Sequence, residues 1–320
     1  MSPCDLCGAG DLASYAARMY AHGGREYDLM RCRGCGLVQV RPLPDAASIA
    51  SLYDDDYFEK DYDSCLSEAS YFDSFPRLLA RYGELLDAIE AEQPRGSLYE
   101  IGCAGGWFLK LARDRGWRVR GQEITAIGAR HATETLGLDV QRAAFPEPGT
   151  AIEPADVVYL GHVLEHLASP AAGIAAATAA VRPGGLLVVE VPTYVASAWF
   201  RLLRPAVPLL RATGFDAGAL LRALKFPPPG ETIPPFHLYE FQRGTLERLL
   251  SRFGFRVARS IARVPKPDGL ADASGLVPRT AGLVFDALDS AARRFGATGG
   301  NLTVFARRSA EHAAGAGPEV

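Results

Sequence analysis

The chain has 320 residues, 48% of them apolar and 22% charged, with a formal net charge of −3. This composition is that of a globular protein with one large domain or a domain and a small appendage, and gives no overall electrostatic case for a nucleic-acid partner. No stretch reaches the roughly 18 uninterrupted apolar residues of a membrane span, and "MSPCDLCGAGD" lacks the basic start and apolar run of a signal peptide, so a cytoplasmic location is expected.

Residues 1–42 hold two C-x-x-C knuckles, Cys4/Cys7 and Cys32/Cys35, with 24 residues between them. In a reducing compartment such cysteines serve as thiols or metal ligands, not as disulfides. Four thiolates from two tight turns suit tetrahedral zinc and would fill every coordination position, so the metal would fold the module and not catalyse. A redox C-x-x-C needs only one pair, placed at a helix start in a βαβ setting that is missing here. The segment closes with a strand, "GLVQVRP". Cys65 and Cys103 have no partner spacing.

Residues 43–95 form a connector or lid segment. Its first part is rich in acids and aromatics (Tyr53, Tyr57, Phe58, Tyr62) and suits docking against a neighbouring domain or closing over a ligand. Its second part, "YFDSFPRLLARYGELLDAIEAEQPRG", carries apolar residues at helical spacing and stops at Pro94 and Gly96.

From residue 97 strands and helices alternate. "SLYEIGC", "WRVRGQEI", "LDVQRAA", "ADVVYLG" and "GLLVVEVP" read as strands; "WFLKLARDRG", "AIGARHATETLG" and the Ala-rich "AAGIAAATAAVRPGG" read as helices. The pattern predicts an α/β fold, a doubly wound, Rossmann-like parallel sheet covered on both faces, with ligands beyond the carboxyl ends of its strands. Residues 196–236 break the rhythm with five basic residues and two acids between apolar stretches, then a cluster of five prolines over 227–235, and read as a helical lid or, in the other reading, a basic amphipathic segment on a membrane surface. "HLYEFQRGTLERLLSRFGFRVARS" resumes with a helix and a strand, and "GNLTVFARR" adds a last strand. The main domain is thus 96–308; residues 309–320 read as a disordered tail.

"YEIGCAGGWF" places a glycine turn after the first central strand, where Gly102, Gly105 and Gly106 let the backbone turn and a ligand approach closely. Glu123 closes the second strand about twenty residues later, where a carboxylate can accept both ribose hydroxyls of an adenosine cofactor. The dinucleotide fingerprint wants glycine where Ala104 and Trp107 stand, so nicotinamide fits poorly.

"GHVLEHL" has the H-x-x-E-H spacing of an inverted zinc peptidase: on a helix His162 and His166 would share a face, with Glu165 beside them. A peptidase also needs a third ligand and a peptide groove, and neither is evident.

Together, "YEIGCAGGWFLKLA", "VRGQEI", "ADVVYLGHVLEHL", "RPGGLLVVEVP" and "HLYEFQRGTLERLLSRFGFRV" resemble class I S-adenosylmethionine-dependent methyltransferases. The resemblance spans roughly residues 1–260 and looks most like the bacterial branch with an N-terminal zinc-ribbon-like domain, which includes sugar C-methyltransferases. It implies strand order 3-2-1-4-5-7-6 and a first motif represented by Glu100, Gly102, Ala104 and Gly106. Ala104 stands where the family has glycine, which implies weaker or displaced cofactor binding. Glu123 would hold the ribose, with Cys103, Trp107, Phe108, Ile124, Gly161 and His162 around the cofactor.

The histidine cluster then has three open readings. It is structural; or His166 is a general base, with Glu165 beside it and His237, Tyr239 and Glu240 touching substrate; or His162, Glu165, His166 and His237, three nitrogen ligands and one oxygen ligand, hold a divalent metal. The last resembles the Glu-x-x-Glu-His stretch of small-RNA 2′-O-methyltransferases and quinone-ring O-methyltransferases, with His162 in place of the first Glu. Its nitrogen-rich ligand set suits Zn²⁺, Mn²⁺ or Fe²⁺ better than Mg²⁺. The expected function is methyl transfer to a small polar acceptor, a nucleotide-linked sugar or natural-product intermediate. A non-catalytic nucleic-acid-binding protein using the zinc module is the rival; the five Arg and no Lys of residues 1–42 make a weak phosphate footprint.

Overall fold

The computed structural model describes residues 3–52, 72, 75–147, 152–193, 195, 197–207, 209, 234–264, 276–295 and 299–310. Two sheets organise it. The small one is antiparallel and begins with β1 (Leu12–His22) and β2 (Arg25–Cys32), followed by β3 (Val38–Arg41). Gly23 and Gly24, at φ 57° and 74°, supply the two-residue turn joining β1 to β2. The sequence reading contained only the third of these strands, because bulges between Ser14 and Ala16 and between Ala16 and Tyr20 break the alternation in β1.

A short helix, α1 (Ala46–Ala50), and the long α2 (Phe75–Glu92) lead into the large sheet. Its elements run β4 (Ser97–Ile101), α3 (Trp107–Asp114), β5 (Arg118–Glu123), α4 (Ala126–Arg130), β6 (Val140–Arg142), β7 (Ala155–Gly161), α5 (Pro170–Ala180) and β8 (Val181–Pro192). After α6 (Ala198–Leu203) come β9 (Tyr239–Glu240), α7 (Arg243–Arg252), β10 (Phe255–Arg263), α8 (Leu276–Phe295) and β11 (Asn301–Arg308). The seven strands lie in the order β10-β11-β8-β7-β4-β5-β6, with β11 antiparallel to both neighbours and the central pairs parallel. Numbered along the domain, that is 6-7-5-4-1-2-3, the order implied by the resemblance read from the other edge.

One core lies under α5 and α7 and takes in Cys4, Leu6, Cys32, Cys35 and Leu37 of the small module together with Val158, Leu160, Leu187 and Leu246. The opposite face of the sheet packs on α2 and α3 through Leu86, Ile89, Phe108 and Leu109. α5 can lie close because its buried face is small; a Cβ on Gly173 would come within 2.3 Å of Leu167.

β9 comes from the main domain but pairs with β3 of the small sheet, Val38 opposite Glu240 and Gln39 opposite Tyr239. A two-residue strand carries too little pattern to be read from sequence. α8 falls in a stretch without a clear sequence signal. Of the expected lid, residues 210–233 lie outside the described residues, as does the expected disorder of residues 311–320. No helix among the described residues is long and apolar enough to cross a membrane.

Candidate active site

The site lies at the carboxyl ends of β4, β5, β7 and β8. After β4 the chain bends through Gly102 (φ 71°), Ala104 (φ 49°) and Gly106 (φ 86°) into α3. The N–H groups of Gly102 and Cys103 both donate to the Gln122 carbonyl, at 2.9 and 3.0 Å. A Cβ on Gly102 would lie 2.5 Å from Val163, so this glycine is required both for its φ and for close approach.

Ala104 occupies a left-handed conformation that costs a residue with a Cβ about 1–2 kcal/mol. We expect Ala104→Gly to relieve this, less glycine's own entropy. The net gain is up to about 1 kcal/mol in stability, with tighter binding of an adenosine ligand. Thermal unfolding and calorimetry check it; a lower melting point would refute it.

Glu123 sits where the turn meets β5. One oxygen accepts the Ala104 N–H at 2.8 Å; the other accepts the Thr125 N–H and hydroxyl at 2.9 and 2.8 Å. Burial raises its pKa against these hydrogen bonds, and burial plus the nearby Glu123 pushes Glu100 well above the ordinary carboxylate range. Glu100 Oε2 has no hydrogen-bond partner among the described residues. An orphaned buried carboxylate beside a glycine cradle fits a ligand carrying N–H groups and ribose hydroxyls. Ile124, which follows Glu123 in the chain, is 44% exposed. Phe108 packs in the core against Tyr82 and Tyr159, and Cys103 is buried. Trp107 stacks edge-on to His131, whose Nδ1 lies 2.7 Å from the Gly105 carbonyl. Gly128 lets α4 approach the turn: a Cβ there would lie 2.9 Å from the Ala104 carbonyl. The sequence reading left out His131 and Gly128.

"GHVLEHL" does not form an α-helix. Gly161 ends β7, His162 is left-handed (φ 55°), and only Leu164–His166 make one 3₁₀ turn. His162 is therefore not on a shared helical face with His166, and its N–H instead donates to the Glu190 carbonyl at 2.9 Å. Its ring lies between two carboxylates, Nδ1 3.3 Å from Glu165 and Nε2 3.4 Å from Glu190. Burial opposes its charge, but these partners outweigh that and raise its pKa to about 9. Glu190 also accepts from Arg81 (2.6 Å), Tyr159 (3.1 Å) and Asn301 (3.2 Å). Despite burial, Arg81 and His162 hold Glu190 far below the usual carboxylate range.

Glu165, His166 and His237 bring one ligand atom each within 4.8 Å of one another. Glu165 is fully buried, and the histidines around it outweigh burial to lower its pKa. His166 Nδ1 lies 2.8 Å from the Phe236 carbonyl, so that nitrogen carries the proton and Nε2 presents its lone pair, 3.8 Å from Glu165. Burial lowers the His166 pKa, and His162 adds to this. His237 stacks edge-on against His166, with Nδ1 3.8 Å from Glu240. Glu240 is buried, its oxygens lack hydrogen-bond partners among the described residues, and burial followed by Glu165 pushes its pKa well up. Tyr239 stands apart, since strand alternation turns it to the other face, where its hydroxyl donates to the Ala168 carbonyl at 2.9 Å.

In the small module, Cys4 and Cys35 place their sulfurs 3.5 Å apart, as do Cys7 and Cys32. All four sulfurs lie within 4.8 Å of one another. Tetrahedral zinc with bonds of about 2.3 Å spaces its sulfurs about 3.8 Å apart, so the donor set fits that ion.

The sequence profile of a methyltransferase domain matches residues 71–260, more than half of the chain. No curated protein matches in sequence. Among solved structures, an S-adenosylmethionine-dependent methyltransferase from Mesorhizobium loti is similar at 18% identity and a TM-score of 0.46, covering 69% of this chain and 96% of that one. A geranyl diphosphate C-methyltransferase from Streptomyces coelicolor A3(2) is similar at 12% identity and a TM-score of 0.46, covering 72% and 77%.

Proposed function

Because this chain belongs to the methyltransferase-domain family, we propose that it moves the methyl group of S-adenosylmethionine onto a small polar metabolite, a nucleotide-linked sugar or a natural-product intermediate. The observation carrying this reading is the adjacency of two chemically distinct halves. The turn Gly102–Gly106 with Glu100 and Glu123 offers a nucleoside cradle, and His162 links its edge through Glu165 to the pair His166 and His237.

The donor supplies a methyl group already activated on a sulfonium. The acceptor atom attacks that carbon in line, the carbon–sulfur bond breaks with its electron pair going to sulfur, and the acceptor's proton passes to His166 Nε2. Neutral at pH 7, with its other nitrogen committed to Phe236, His166 is in the form a base requires. Holding the partners aligned and dry is worth up to about 7–11 kcal/mol. The four cysteines hold a structural zinc, for which metal analysis should return about one ion per chain.

Calorimetry with S-adenosylhomocysteine and turnover of radiolabelled donor against a panel of nucleotide sugars test the reading. In His166→Asn, turnover should fall about 10²- to 10⁴-fold with donor affinity kept within twofold. Wild-type turnover should show an acid limb, as His166 protonates, with its midpoint below the ordinary histidine range. No acid limb, or full turnover in the variant, removes the base role. A turnover loss on chelation that leaves the cysteine-bound zinc in place would favour metal-assisted O-methyl transfer instead, and salt-dependent nucleic-acid binding without donor binding would favour the zinc-module rival.

A further inference from the structure

The acceptor-side cluster is assembled from two segments with little regular structure of their own: the single turn Leu164–His166, and residues 236–238 just before β9. Both are held by the cysteine module. In the first knuckle, Asp5 lies between Cys4 and Cys7; one oxygen accepts the Ser169 hydroxyl at 2.7 Å, the other the Ala171 N–H at 2.8 Å. Asp5 therefore caps α5, whose start lies just past His166, and places a negative charge at that helix's positive end.

The second knuckle closes with Cys32 N–H donating to the Leu37 carbonyl at 2.9 Å, which sets the start of β3. β3 then holds the other segment: Val40 N–H donates to the Leu238 carbonyl and Leu238 N–H to the Glu165 carbonyl, both at 2.8 Å. Arg248 and Arg252 of α7 donate to the carbonyls of Cys35 and Leu6, one in each knuckle. The donor turn is separate. Among the described residues, the hydrogen bonds of Gly102–Gly106 run to Gln122, Glu123, His131 and α3, and none reaches the module.

We propose that the metal-held cysteine module is the positioning element of the acceptor side, with Asp5 a positioning residue: it sets His166 against His237 while donor binding proceeds without it. This rests on reading the four cysteines as a metal site and the histidine cluster as the acceptor site.

The test uses the full chain with its six histidines labelled at the imidazole nitrogens, His166 being assigned through His166→Asn. In the wild type His166 should show one tautomer, protonated at Nδ1 and slow to exchange with water. In Asp5→Ala, with zinc content unchanged, exchange at that nitrogen should quicken about fivefold, the equivalent of the ~1 kcal/mol typical of a lost cap. In the metal-stripped chain the single tautomer should give way to a mixture. S-adenosylhomocysteine affinity should stay within twofold throughout. Should Asp5→Ala fail to fold, Arg248→Met, which severs only the link to Cys35, takes its place. An unchanged His166 signal in the variant and the stripped chain overturns the proposal, as does donor affinity that falls in step with it. Absence of donor binding in the wild type would instead refute the methyltransferase reading and leave the imidazole result legible.

Discussion

Glu123→Ala should weaken S-adenosylhomocysteine binding about a hundredfold. In the proposed complex its carboxylate accepts two ribose hydroxyls, and hydrogen bonds to a charged group contribute about 1.5–3 kcal/mol each. A loss of about 3 kcal/mol is a factor near 100. The substitution also releases the Ala104 N–H and both Thr125 donors, so the turn loses its anchor to β5 along with its ligand. Glu123→Gln keeps one acceptor oxygen and should lose about tenfold. Burial raises this group's pKa, so wild-type affinity should decline toward acidic pH as the carboxylate protonates. Calorimetry on the three proteins decides it: equal affinities would remove Glu123 from the donor site.

Glu190→Leu should cost about 3–5 kcal/mol of stability near pH 6, the typical penalty for stripping one partner from a buried charge cluster. Arg81, His162, Tyr159 and Asn301 all turn to this carboxylate, and Glu165 faces His162 from the other side. The pH dependence has a definite sign. Glu190 is depressed, so its contribution is present above the unfolded value near 4.5 and is lost as pH falls below it. His162 is raised, so its contribution is complete below 6.5 and is lost as pH climbs through about 9. The gap between wild type and variant should therefore be widest between about pH 4.5 and 6.5, roughly 5–10 °C in melting temperature. It should narrow toward pH 9. A gap independent of pH would show that packing, not charge, accounts for the loss.

This cluster also marks the limit of what sequence reading reaches. Arg81 reads as an ordinary polar position on an amphipathic helix, and Glu190 as one acid inside an apolar strand. They meet because α2, packed on the face of the sheet, brings Arg81 to Glu190 of β8 and to His162 just past β7. His162 was visible, but its left-handed backbone and its clamp of two carboxylates were not, since a helical spacing rule presumes a helix. Tyr239 and Glu240 are adjacent in sequence and face opposite sides of a strand too short to show a period.

The α/β fold, the glycine turn and acidic strand end at one edge of the sheet, and the pairing of the two cysteine knuckles are all legible in the unfolded chain. Each depends on periodicity or on residue chemistry within a few positions, which the chain displays without folding. Folding is what brings β9 into the small sheet, sets Asp5 at the start of α5, and joins Arg81, Glu190 and His162 in one buried network. Those contacts connect residues far apart in the chain, and their partners are chosen by strand register and helix crossing, which no local pattern encodes.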